Sequence, residues 1–139
     1  MLASSYRYFV PITTRWMDND TYGHINNVVY YSYFDSAANL FLIREGGLDI
    51  EHAPVIALVV ESRCNYHQAL AYPDALRAGV RVDKLGKTSV TYGIGIFREG
   101  EDSAAAHGHF VHVFVDRQTR RPAPIPSSIR KALERIVVT

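Results

Sequence analysis

Between Gly23 and Ile43 the chain carries one formally charged residue, Asp35, set among Tyr30, Tyr31, Tyr33, Phe34, Leu40, Phe41, Leu42 and Ile43. No proline interrupts the run, which predicts a helix from about Ile25 to Arg44, stopped by Gly46-Gly47. A helix apolar on nearly every side is expected to be buried on nearly every side. The rest of the chain must therefore supply something that wraps it. Ahead of the helix, Tyr6 to Trp16 is rich in aromatic and β-branched residues and reads as a strand. Asp18, Asn19, Asp20 and Gly23 then break it with a turn.

After Pro54 the period switches from helical to two. Ile56, Leu58, Val60, Ser62, Cys64 and Tyr66 are expected on one face of a long strand. Val55, Ala57, Val59, Glu61, Arg63, Asn65 and His67 take the other, which turns polar halfway along. Leu76 to Asp83 alternates in the same way, Lys84-Leu85-Gly86-Lys87 makes a hairpin turn, and Val90 to Ile96 returns. Ala104 to Asp116 gives a last long strand. Past Pro122, Pro124 and Pro126, Ser127 or Ser128 is placed to cap a short terminal helix carrying Ile129, Leu133 and Ile136. Gly93 and Gly95 share one face, as do Ala104, Ala106 and Gly108, which predicts close backbone approach or strong curvature. The order is strand, long helix, then four long antiparallel strands: an α+β domain spanning 1–139, with a curved antiparallel sheet around a central helix. The apolar stretch Val55-Ala57-Val59 on its outer face predicts burial in a dimer.

The 139 residues are 47% hydrophobic, enough for one sizeable core without a metal or disulfides. A formal net charge of +1 gives no nucleic-acid field. One cysteine, Cys64, excludes an internal disulfide framework and suits a reducing cytoplasm. The first residues lack a charged and then apolar leader pattern. The polar residues within the long apolar run argue against a membrane span.

Asp20 is the sharpest chemical candidate. It lies shortly before a helix whose first N–H groups are free and carry partial positive charge. Acyl transfer needs such a pairing, a nucleophile or base beside donors for an oxyanion. Asp18, Asp20 and Asn27 equally suit plain turn and cap roles.

The string Arg15-Trp16-Met17-Asp18-Asn19-Asp20-Thr21-Tyr22-Gly23-His24-Ile25-Asn26-Asn27-Val28-Val29-Tyr30 resembles the signature of hotdog-fold acyl-CoA thioesterases of the 4-hydroxybenzoyl-CoA thioesterase type. The resemblance extends to Asn65-Tyr66 and to Leu85-Gly86-Lys87-Thr88-Ser89, and runs to about Val115. It implies a hotdog fold, paired subunits, and acyl-CoA sites at the dimer interface. It implies Asp20 as the catalytic carboxylate, the Asn27 backbone N–H as oxyanion donor, and a nucleotide-phosphate contact near Lys87, Thr88 and Ser89. The 4-hydroxybenzoyl-specific enzyme lacks the His24-x-Asn26-Asn27 form, so the aromatic substrate is not carried over.

The reading is thus an enzyme that hydrolyses an acyl thioester of CoA or acyl-carrier protein. It needs no metal and no cofactor, CoA being part of the substrate, and neither nucleic acid nor membrane is an expected partner. It is expected to form a homodimer or homotetramer. A hotdog dehydratase or hydratase and a non-catalytic acyl-thioester binder are the alternatives. His24 either contacts substrate or holds the turn. Glu61 either positions water or pairs with Arg63 or another strand. Asp35, alone on the apolar helix, is assigned a structural role. Cys64 and His67 fall on opposite faces, so Cys64 reads as inert. His107 and His109 share a face without a third ligand to complete a metal set.

Overall fold

Helix α1, Val29–Arg44, buries Tyr30, Tyr33, Phe34, Ala37, Ala38, Phe41 and Leu42. These positions recur every three or four residues and so form one stripe. The computed structural model describes residues 1–138. Its strands are β1 (Tyr8–Thr13), β2 (Val55–Tyr66), β3 (Ala75–Leu85), β4 (Ser89–Arg98) and β5 (Ala106–Asp116), with a short helix α2 at Ser127–Glu134. They form one five-stranded sheet in the order β1-β3-β4-β5-β2, antiparallel at every junction. The sheet curves around α1 as expected, and the architecture is the hotdog fold.

The concave face packs on the helix through rows such as Val90, Tyr92, Ile94 and Ile96, all fully buried. The other face of β4 shows Gly93 and Gly95, and no helix lies over them. A Cβ on Gly95 would come within 2.7 Å of the Tyr6 hydroxyl, and one on Gly79 within 2.8 Å of the Tyr6 ring. The missing side chains let the segment before β1 lie flat across the sheet's outer face.

Four expectations change. The helix starts at Val29 rather than Ile25 because Asn26 ends the loop with its own cap: its Oδ1 accepts the Val28 N–H and its carbonyl accepts the Val29 N–H. Nor is the helix buried on nearly every side. Ser32, Asp35 and Ser36 are exposed, and Asp35 is bonded by the Asn39 amide. The third change is in β2, where the register shifts between Val59 and Glu61. Val60 is the extra residue of a bulge, which reverses the faces beyond it. Ala57, paired with Phe114, and Cys64, paired with Gly108, therefore both face the helix side, and Val55 and Ala57 pack on the core. The exposed apolar side chains in the middle of this strand are Leu58, Val59 and Val60, with Tyr66 exposed at its end. At the C-terminus neither Ser127 nor Ser128 caps α2, and the Ser128 hydroxyl donates instead to the Gly46 carbonyl behind α1.

His112 lies among Phe110, Phe114 and Tyr92 on the concave face, 1% exposed, with Nδ1 3.0 Å from the Tyr92 hydroxyl. Burial pushes its pKa from the ordinary 6.5 down to about 4. The unfolded chain then binds a proton that the folded chain refuses, so stability falls as pH drops from 6.5 towards 4. At about 1.36 kcal/mol per pH unit the loss reaches about 3 kcal/mol by pH 4. Urea melts across that range are expected to show this slope in the wild type. They should show a flatter one in His112→Gln.

Candidate active site

Asp18 is the anchor beneath the loop. Its carboxylate is 1% exposed and accepts the Arg15 backbone N–H at 3.0 Å, the Arg15 Nε at 3.0 Å and the Tyr33 hydroxyl at 2.7 Å. Burial alone would raise its pKa, but the Tyr33 hydroxyl and the two Arg15 contacts outweigh it and hold the carboxyl below its usual range. Asp18 therefore ties the loop to α1 through Tyr33 and is not free for chemistry.

The loop above it is fixed mostly by backbone. The Asp20 N–H donates to the His24 carbonyl, the Gly23 N–H returns to Asp20, and Gly23 takes φ +81, the left-handed region that favours glycine. The Ile25 N–H donates to Leu70 and the Asn26 N–H to the Asp18 carbonyl, at 2.8 and 2.9 Å. Asp20 is thus held by its own main chain. One carboxylate oxygen accepts the Tyr22 N–H at 2.9 Å, and among the described residues the other has no partner in the chain. The Asn27 N–H likewise donates to no acceptor among the described residues.

A cavity of about 400 Å³ brings Asp20, His24 and Asn27 together. Its walls are Tyr30 from α1 and Tyr66, His67 and Gln68 from the end of β2. A wider hollow of about 650 Å³ adjoins Asp20 on the side of Trp16 and Met17, but Asn27 does not line it. Only the smaller cavity joins a carboxylate to an unused N–H at a helix start, so it is the candidate site.

Tyr66 carries a role that spacing along the chain does not reveal. Its hydroxyl donates to the Asn27 carbonyl at 2.9 Å across 39 residues of sequence, and its ring packs edge-on against Tyr30. It pins the turn that presents the Asn27 N–H. Tyr66→Phe is expected to lower kcat about 5- to 10-fold, with a stability loss of about 1 kcal/mol. Steady-state kinetics beside a thermal melt check both.

The remaining candidates lie elsewhere. Glu61 stands on the outer face of the sheet, where the His109 Nε2 meets its carboxylate at 2.8 Å; of the expected pairings, the one with another strand is formed and the one with Arg63 is not. Lys87, Thr88 and Ser89 occupy the β3–β4 hairpin. Ser89 pairs with Val113 of β5, whereas Tyr66 of the cavity pairs with Ala106. Seven residues of strand put the hairpin about 24 Å from the cavity along the sheet. Cys64 is half-buried, its thiol pushed up to about 11 by burial, as an inert cysteine requires. His107 bonds to His67 rather than joining His109, and no group of three or more metal-ligating side chains occurs among the described residues. No helix among them is long and apolar enough to cross a membrane.

The model of the thioesterase-like superfamily matches residues 14–133, a span that contains the loop, α1 and most of the sheet. The chain belongs to this superfamily. Among solved structures, the PA5185 protein of Pseudomonas aeruginosa strain PAO1 is 49% identical, with a TM-score of 0.98 over 99% of this chain and 96% of that one. A predicted thioesterase from Bacillus stearothermophilus is 26% identical, with a TM-score of 0.79 over 95% of this chain and 97% of its own. The DHNA-CoA thioesterase of Staphylococcus aureus, at 22% identity and a TM-score of 0.80 over 92% of this chain and 89% of its own, shares the fold.

Proposed function

We propose that the protein hydrolyses an acyl thioester, an acyl-CoA or acyl-carrier-protein conjugate, to a carboxylic acid and a free thiol. One observation carries the reading: a carboxylate oxygen and a backbone N–H, both without partners among the described residues, line one cavity at the start of α1. The thioester carbonyl oxygen sits against the Asn27 N–H, which stabilises the charge developing there. Asp20 attacks the carbonyl carbon or takes a proton from the water that does. The step needs no metal or redox cofactor. Superfamily membership and neighbours named as thioesterases support the reaction class.

The same reading includes a second copy of the chain. β2 is an edge strand whose outer rim is unpaired, and Leu58, Val59 and Val60 are exposed on it. Two β2 strands paired antiparallel about their middle would set the Tyr66 end of one against the Val55 end of the other. The partner's hairpin end then comes towards this chain's cavity, which reconciles Lys87, Thr88 and Ser89 with a long CoA-like ligand. His24 lines the cavity and is proposed to contact the substrate. Purified protein assayed against a panel of aliphatic and aromatic acyl-CoAs tests the reading by thiol release. Release from at least one of them is expected. Product formed by hydration of the acyl chain, or tight binding without turnover, would replace it with a hydratase or a binding module.

A further inference from the structure

The Nε2 of His67 and the Nδ1 of His107 lie 2.7 Å apart, with ring planes within 15° of each other. His67 lines the Asp20 cavity, while His107 lines a separate hollow of about 320 Å³ on the outer face of the sheet. Two imidazoles at that separation share one proton between two nitrogens. The pair therefore joins the candidate site to solvent on the far side of the sheet. Both ends are held by backbone: the His67 N–H donates to the Ala105 carbonyl, and His107 sits between Asn65 and Gly95 in the ladder.

We propose that His67 and His107 form a two-ring proton relay, with His67 delivering a proton to the leaving thiolate and His107 positioning and reloading it from the outer face. The proposal rests on the thioester reading above. Whichever way Asp20 acts, the C–S bond breaks with its electron pair on sulfur. His67 gives the proton on its Nδ1, the nitrogen His107 does not engage, to that sulfur. Its Nε2 takes the shared proton from the His107 Nδ1, and the His107 Nε2 takes one from water in the outer hollow; the hydroxide left there neutralises the proton that the carboxylic acid product releases, and exchange of the rings with solvent restores the starting tautomers before the next turnover. An imidazole bonded on one side presents its other nitrogen in a defined tautomer and orientation, as a donor to a thiolate requires.

On the outer face stand Arg63, the Arg81–Asp83 ion pair and the Glu61–His109 pair, with Tyr6 beside them. Neighbouring β4 offers Gly93 and Gly95, which bring no charge. On the cavity side stand Asp20, His24 and Tyr66. Burial first and His67 second lower the proton affinity of His107, so it passes a proton on rather than keeping it.

The test compares wild type, His67→Gln and His107→Gln on an alkyl thioester and on an aryl thioester of the same acyl group. An aryl thiolate leaves without needing a proton. Both variants are expected to lose about 10²-fold in kcat on the alkyl thioester and to stay within a few-fold of wild type on the aryl one. A purely structural role would lower both substrates equally; that result, or unchanged rates on both, overturns the relay. Asp20→Asn, by contrast, should lose both substrates, so failure of the relay and failure of the thioesterase reading give different patterns. Should either variant fail to fold, ¹⁵N NMR of the wild-type imidazoles decides: a coupling across a shared proton supports the pair, and two independently titrating rings overturn it.

Discussion

Asp20→Asn is expected to lower kcat by about 10³-fold while leaving KM within a few-fold of wild type. The substitution keeps the shape of the side chain and its bond from the Tyr22 N–H, because an amide oxygen accepts as well as a carboxylate oxygen. It removes the negative charge and basicity that attack or proton abstraction needs. General-base or nucleophilic action contributes about 10²- to 10⁴-fold, or roughly 4 kcal/mol at 10³. A fall in kcat without a rise in KM is the signature of a group that acts only in the transition state. If Asp20 were only the first residue of a turn, Asn would replace it with little effect, since Asp and Asn serve turns alike.

Asp18→Ala is expected to act on stability first, by about 3 kcal/mol. The substitution leaves the Tyr33 hydroxyl, on a side chain only 6% exposed, and the Arg15 N–H without their charged acceptor. Hydrogen bonds to a buried charged group contribute about 1.5–3 kcal/mol, and donors left unsatisfied cost more. For a domain of this size the melting temperature should drop by about 10 °C. The pH dependence follows in sign. The Asp18 carboxyl sits below its usual range when folded, so its contribution is complete above the ordinary carboxylate range and is lost as pH falls through the lowered value. Melts taken from pH 6.5 into the acid range therefore carry two slopes, one from His112 between 6.5 and about 4 and one from Asp18 below the ordinary carboxylate range. Asp18→Ala removes only the second. Activity should also fall, because the Asp18 carboxylate holds Tyr33 of α1 and so fixes how the loop meets the helix.

How much of this could be read beforehand varied with the range of the interaction involved. The helix, the alternation of β3 and β4, and the motif from Asp18 to Asn27 were visible because each is encoded within a few residues. The helix start was misplaced by four residues because Asn26 looks like any polar residue near a helix. Only its bonds to Val28 and Val29 make it the cap. The reversal of faces in β2 was hidden for a different reason. Val60 follows the period-two pattern, and a bulge there is fixed by pairing with β5, not by a glycine or proline in the strand. Carrying the parity through Val60 put Ala57 and Cys64 on opposite faces, whereas the structure puts them on one. Among the site residues, Asp20, His24 and Asn27 were found together because they are neighbours in sequence. Tyr66 reaches Asn27 across 39 residues of sequence, a bond that its period-two position in β2 does not announce. For Glu61 the polar turn of its strand left open a water-positioning role and an ion pair with Arg63 or another strand, and the structure shows a pair with His109 of β5 on the sheet's outer face.

The measurement that bears most directly on the central claim is thiol release from one acyl-CoA by wild type and Asp20→Asn, at equal folded concentration and saturating substrate. Calorimetric binding of the same compound accompanies it. The account predicts steady release by wild type, almost none by the variant, and binding by both with similar affinity. Release by Asp20→Asn at the wild-type rate would contradict it, and would move the chemistry away from the start of α1.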